Sequence, residues 1–245
     1  MPHRGVVLGR DGSEGGCLRP PFFREQLPMY AKSLTSIPPR VPRLGPVVGS
    51  LLAQRPAPQA VHIYLPKVWD RFEAVEKTYA VPSGAVIHIV DTDLGPATKA
   101  ICFAKNHSTE HKNLIFCDDD WIYPQGWAET LLSAGQAGAA VAASGFDVDR
   151  LKRRAAPKPA GFVDIAQGFA GVLINPNWFD VKDIVPPKEA RLADDIWLSG
   201  QLARQGIAIR PCPEARRGLA PAFADEHGLQ DIVAPGQTRA EASQA

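Results

Sequence analysis

Between Tyr30 and Pro213 the chain alternates short apolar runs with stretches in which apolar residues recur at helical spacing. The short runs predict strands over 31–35, 61–65, 86–90, 113–117, 139–144, 172–175 and 207–210, and the helical spacing predicts helices over 44–54, 98–105, 124–134 and 193–205. Pro124 suits a first helical turn, where a missing N–H removes no bond. Gly206 suits the left-handed cap that stops the last helix. Strands and helices alternating in this way predict an α/β fold with a mostly parallel central sheet and helices on both faces. Residues 1–29 are rich in Gly, Pro and Arg and show neither period, so they are read as a disordered extension. Residues 30–232 are read as one domain and the polar 233–245 as a disordered tail.

The run Leu114-Ile115-Phe116-Cys117 ends abruptly in Asp118-Asp119-Asp120. Side chains alternate along extended backbone, so Asp118 and Asp120 are expected on one side and Asp119 on the other. In open parallel sheets ligands sit beyond the carboxyl ends of the strands, where this triplet falls. Adjacent carboxylates repel unless a positive charge compensates them, and a bound magnesium or manganese ion is one remedy. The plainer reading is an acidic loop whose aspartates bond nearby backbone N–H groups.

A second acidic pair, Asp194-Asp195, opens the last predicted helix. One aspartate there would cap free N–H groups and suit the positive end of the helix dipole. The other is left to face a cleft as a proton acceptor. His107 and His111 have the four-residue spacing of helical metal ligands, but they lie among polar neighbours beside Glu110 and Lys112 and are read as part of a solvated loop.

Charge narrows the function classes. The 27 basic and 26 acidic residues give a net charge of +1, without the clustered excess of Lys and Arg that nucleic-acid binding needs. Cys17, Cys102, Cys117 and Cys212 are scattered, with no metal-ligand spacing, and are read as free thiols of a reducing compartment. No stretch reaches the roughly 18 apolar residues of a spanning helix, and no apolar core marks a signal peptide, so a cytoplasmic protein is expected.

Taken in order, Leu34-Thr35-Ser36-Ile37-Pro38-Pro39-Arg40, Asp93-Leu94-Gly95-Pro96-Ala97-Thr98-Lys99, Asp118-Asp119-Asp120, Gly168-Phe169-Ala170-Gly171 and Asp194-Asp195 resemble the motif series of GT-A fold glycosyltransferases in the style of the family-2 inverting enzymes. The resemblance implies transfer of a sugar from a UDP-, GDP- or dTDP-sugar to a carbohydrate or lipid-linked acceptor, with a peripheral seat at the inner membrane compatible with it. It implies Asp118 and Asp120 as ligands of Mn2+ or Mg2+, with His227, the only His after the acidic pair, completing the metal site. It puts Asp93, Lys99, Asp118 and Asp119 on the donor side, makes Asp195 the general base, and places Asp194 beside it where the family usually has Glu. Two rival readings stand beside this one. A sugar-phosphate nucleotidyltransferase would normally carry a Gly-rich loop with Arg and Lys after the first strand, which Thr35 to Arg40 is not. A non-catalytic nucleotide-sugar-binding module would not need both acidic clusters.

Overall fold

The computed structural model describes residues 28–72, 83–153, 155 and 157–224. Seven strands form its central sheet: β1 (Ala31–Thr35), β2 (Val61–Pro66), β3 (Ala85–Val90), β4 (Leu114–Phe116), β5 (Ala139–Ala142), β6 (Val172–Ile174) and β7 (Ala208–Pro211). They lie in the order β7-β5-β6-β4-β1-β2-β3. Every pairing is parallel except those of β6, which runs antiparallel between β4 and β5. The helices are α1 (Gly45–Leu52), α2 (Thr98–His107), α3 (Trp127–Ser133) and α4 (Asp194–Arg204). The mixed α/β architecture with a mostly parallel sheet is the one the hydrophobic pattern predicts. Among the described residues, no helix is long and apolar enough to cross a membrane.

The alternation of side chains divides the core in two. Leu34, Ile63, Ile115, Val141 and Leu173 pack with Val47, Val48 and Leu51 of α1 and with Trp127 and Leu131 of α3. Their strand neighbours Ala31, Tyr64, Leu114, Phe116, Ala140 and Val172 pack instead with Ile101 and Phe103 of α2 and Leu198 and Leu202 of α4. A sheet buried on both faces needs apolar residues at successive positions, and for this reason β2 and β4 read as continuous runs. Gly171 fixes the approach of α3: its φ is +100°, and a Cβ there would stand 2.2 Å from Cζ2 of Trp127.

Two predicted details differ. The third helix starts at Trp127, behind Gly126 at φ 88°, and not at Pro124. The left-handed glycine breaks the helical path, and the Pro124 carbonyl accepts from the Trp127 N–H at 3.1 Å from outside the helix. His107 closes α2, and it and His111 are largely buried among His62, His88 and Phe103 rather than solvated. Histidines on two strands of the same face meet them, a pairing that local spacing does not reveal. At the other end of the chain the expected cap is present: Gly206 sits at φ +72°, and the Ile207 N–H reaches the Leu202 carbonyl at 3.0 Å.

Lys32 lies in β1 with its side chain in the core, and among the described residues no carboxylate is paired with it. Its ammonium donates to the carbonyl of Leu51 at the end of α1, at 2.7 Å, with the Tyr30 and Trp127 rings each 5.4 Å away. Burial pushes its pKa down to about 7, against a small opposing effect of Cys117. The unfolded chain therefore holds this proton at pH values where the folded chain has released it, so stability rises as pH climbs from about 7 towards the unfolded value. Between pH 7 and 9 the gain from this residue is expected to be about 2 kcal/mol. Urea melts of wild type and Lys32→Met at both pH values check it; equal pH dependence in the two proteins contradicts the expectation.

Candidate functional site

Since β1, β2 and β4 are parallel, their carboxyl ends share one edge of the sheet, and a cavity of about 400 Å3 opens there. Thr35 and Ser36 leave β1 into its wall, Pro66 ends β2 at its rim, and Asp118, Asp119 and Asp120 follow β4 into it. Asp194 and Asp195 enter from the start of α4, so five aspartates from two distant segments meet in one cavity.

The members of the triplet differ in burial, but Asp119 and Asp120 meet the same guanidinium nitrogen of Arg40 and so do not part to opposite sides as strict strand alternation predicts; β4 ends at Phe116, before the triplet. Asp119 is the most buried of the three, held in the cavity wall: its Oδ2 accepts from Ser36 Oγ at 2.5 Å and its Oδ1 pairs with Arg40 Nη1 at 2.8 Å. Burial raises its pKa, and Arg40 and the Ser36 hydroxyl oppose that rise. Asp118 and Asp120 keep more contact with the cavity, with side-chain exposures of 34% and 20% against 7% for Asp119. Asp118 Oδ1 meets Lys99 Nζ at 2.8 Å, and Asp120 Oδ2 meets Arg40 Nη1 at 3.3 Å. Repulsion within the triplet is thus relieved in part by two built-in cations, Arg40 and Lys99.

Lys99 is no surface helix residue. It stands in the first turn of α2 with its amine buried between Asp118 and Asp194, at 2.8 and 2.9 Å. Burial alone would lower its pKa, but Asp118, Asp194 and Asp195 outweigh burial and hold the ammonium well above the ordinary lysine value. Neither aspartate of α4 caps its own helix, contrary to the sequence expectation; the N-cap position is Ala193, and no side chain bonds there. Asp194 turns to Lys99, and Asp195 Oδ1 accepts from the Gly168 N–H at 2.8 Å. Burial and then the neighbouring Asp194 charge push the Asp195 pKa up, to about 8, with Lys99 pulling the other way. Gly168 leaves room for this arrangement: a Cβ there would stand 3.2 Å from Lys99 Nζ and 3.3 Å from Asp195 Oδ1.

No family model and no curated protein sequence matches this chain. Among solved structures it aligns with the galactosyltransferase LgtC in complex with donor and acceptor sugar analogues, at 9% identity over 74% of this chain and 72% of that one, TM-score 0.43. It also aligns with residues 1–349 of S. aureus TarS, at 11% identity over 76% of this chain and 61% of that one, TM-score 0.44.

The remaining sequence candidates fall as follows. Asp93 lines the cavity, with its Oδ1 accepting from the Gly95 N–H at 2.7 Å and its Oδ2 from the Asp70 N–H at 2.9 Å, so it clasps the loops after β2 and β3 together. His227, the tail, and all of the N-terminal extension except Pro28 and Met29 lie outside the described residues. Asp118, Asp119, Asp120, Asp194 and Asp195 do not gather into a three-carboxylate ligand set; among the described residues such closeness is reached by His62, His88 and His107.

Several contributors had no signal of their own in the sequence. Tyr123 is buried, and its hydroxyl donates towards the carbonyls of Asp118 and Phe169, at 2.9 and 3.0 Å, joining the triplet to the Gly168 loop. Arg71 and Arg216 line the cavity from loops with no periodicity to mark them. Ser36 and Arg40 lie in a segment singled out by resemblance, yet their bond to Asp119 joins positions about 80 residues apart in the chain.

Proposed function

We propose that this chain is a glycosyltransferase that moves a sugar from a nucleoside diphosphate donor to an acceptor hydroxyl with inversion at the anomeric carbon. The observation that carries the reading is the meeting of Asp118, Asp120, Asp194 and Asp195 in one cavity at the carboxyl ends of the parallel strands, with arginines on its walls. Arg40, Arg71 and Arg216 suit the negative charge of a diphosphate.

Magnesium and manganese sites on nucleotides generally use one or two protein carboxylates and take their other ligands from phosphate and water. Asp118 and Asp120, the two members of the triplet more open to the cavity, fit that donor set. Held there, Mn2+ or Mg2+ would neutralise charge growing on the departing diphosphate.

The chain's own groups supply the rest. Asp195, ionised, takes the proton of the acceptor hydroxyl on a carboxylate oxygen as that hydroxyl attacks the anomeric carbon and the carbon–oxygen bond to the diphosphate breaks. The Gly168 N–H fixes the orientation of the carboxylate, and Asp194 holds Lys99 beside it. Lys99, paired with two carboxylates, acts as a positioning residue for Asp118 and Asp194. Asp93 shapes the donor side through the two loops it clasps. Asp119, tied to Ser36 and Arg40, anchors the guanidinium facing the donor phosphates.

Calorimetry of UDP, GDP and dTDP binding tests the metal and donor assignments. At least one nucleotide is expected to bind about tenfold or more tightly with Mn2+ or Mg2+ than with a chelator, a difference of about 1.4 kcal/mol, and Asp120→Asn should abolish that difference. Equal affinity with and without metal for every nucleotide removes Asp118 and Asp120 from the proposed role. A panel of the corresponding nucleotide sugars, followed by release of the nucleoside diphosphate, then identifies the donor.

A further inference from the structure

On the face of the sheet covered by α2, four histidines come together away from the acidic cavity. β2 and β3 run parallel with Tyr64 opposite His88 and His62 opposite Val86, so His62 and His88 are diagonal neighbours on one face. His62 Nδ1 and His88 Nε2 face each other at 2.8 Å. The last residue of α2, His107, brings its ring centroid to 4.7 Å from that of His62 and 5.3 Å from that of His88. His111 stands beside them, with its ring 6.1 Å from His62 and 6.2 Å from His107.

We infer that His62, His88 and His107 form a metal site separate from the acidic cavity, one that takes a zinc-type transition-metal dication through imidazole nitrogens. Each ring offers a nitrogen, and the three nitrogens lie within 4.8 Å of one another. The second observation is unmet bonding. Nε2 of His62, a residue 5% exposed, and Nε2 of His107 are buried and have no hydrogen-bond partner among the described residues. Buried polar atoms are almost always satisfied, so two unsatisfied nitrogens in one cluster of neighbouring rings point to a missing ligand.

The surroundings are those of metal-binding histidines. His107 Nδ1 lies 3.1 Å from Glu110 Oε2, and a carboxylate can only accept, so the ring proton belongs on Nδ1 and Nε2 presents its lone pair. A carboxylate behind a ligating imidazole is the usual outer partner in such sites. Gln59 Oε1 holds His111 Nδ1 in the same manner, at 3.1 Å. Burial first, and the neighbouring rings after it, keep His62 and His88 below the ordinary histidine pKa, so both rings are neutral and able to donate lone pairs at neutral pH. The cluster also sits at the carboxyl end of α2, where the helix dipole favours a cation.

Imidazole donors select Zn2+ and its neighbours in the transition series, whereas the carboxylate cavity suits hard ions. Lys99 and His107 are eight residues apart on α2, about 12 Å at 1.5 Å per residue, so one helix spans both places. A bound ion would fasten the edge strand β3 and its neighbour β2 to the end of α2. A stack held by packing alone would leave the two Nε2 atoms unexplained.

The test uses the full chain without a histidine tag, stripped by chelator and titrated with Co2+ alone. One equivalent is expected to bind with the visible absorption of nitrogen-ligated cobalt and to be displaced by one equivalent of Zn2+. His88→Gln, on the half-buried edge strand, should weaken binding by more than the ten- to hundredfold typical of losing an outer partner. His107→Gln is the second variant, for the case in which the first does not fold. Asp118→Asn should leave the cobalt signal unchanged. Absence of the band in wild type, wild-type binding by a folded His88→Gln or His107→Gln, or loss of the band in Asp118→Asn overturns the inference. None of these results bears on nucleotide binding in the acidic cavity.

Discussion

Asp195→Asn is expected to lower turnover by about a hundredfold to ten-thousandfold, the usual cost of losing a general base, while donor affinity stays close to wild type. The amide keeps the size of the carboxylate, and its oxygen can still accept from the Gly168 N–H, so the Lys99–Asp194 pair beside it should hold. What it lacks is an oxygen able to take a proton. The pH profile supplies a second readout. Burial and Asp194 push the Asp195 pKa up to about 8, and a base works only when ionised. A base whose pKa is raised is only partly ionised at neutral pH, so kcat/KM should rise with pH until it levels above that value. In Asp195→Asn the rise should vanish along with the rate. A variant that retains more than about a tenth of wild-type turnover, or the same acidic limb, moves the base to Asp194.

What could be read from the chain beforehand follows from the range of the interactions involved. Strand positions were legible because a sheet buried on both faces demands apolar runs, and Ile115 in its buried strand followed by Asp118 is a local pattern. The split of the triplet was legible only in part: Asp119 is the most buried of the three, but Arg40, about 80 residues away in the chain, draws Asp119 and Asp120 to the same nitrogen, which alternation of neighbouring residues does not foresee. The aspartates of α4 show where such reasoning stops. Local chemistry predicts a helix cap, but a buried ammonium 95 residues away offers Asp194 a stronger partner than a backbone N–H, and the cap is given up. Lys99 itself looks like any helix lysine until α4 is folded against α2. The histidines illustrate the same point in reverse: His107 and His111 have polar neighbours in sequence, and only the parallel register of β2 and β3 brings His62 and His88 over them. α3 starts later than the sequence predicts because Pro124 is compatible with a helix start whereas Gly126, two residues later, adopts a conformation that is not helical.

The largest stability effect is expected from Lys99→Met. Removing one partner of a buried ion pair leaves the other charge desolvated without compensation and typically costs about 3–5 kcal/mol. Here the amine is buried and serves two carboxylates, but Asp118 is 34% exposed and recovers some solvation, which places the expected loss near the lower end, about 3 kcal/mol at neutral pH. The sign of the pH dependence is fixed by what remains. Without Lys99, the carboxylates of Asp118, Asp194 and Asp195 lose the cation that compensates them, and protonation of the crowded group relieves their repulsion. A carboxyl whose pKa is raised by folding stabilises the fold when protonated and ceases to do so as pH climbs through its folded value. The deficit of Lys99→Met relative to wild type should therefore be greatest at neutral pH and shrink as pH falls towards about 5. Adding Asp194→Asn to the variant should restore part of the loss at neutral pH, because an amide needs no counter-charge, and the same second change in wild type should not stabilise. Urea melts of the four proteins at two pH values decide the matter. If Lys99→Met matches wild type at neutral pH, or if its deficit grows on acidification, the ammonium is not what holds Asp118 and Asp194 together, and the positioning role given to Lys99 falls with it.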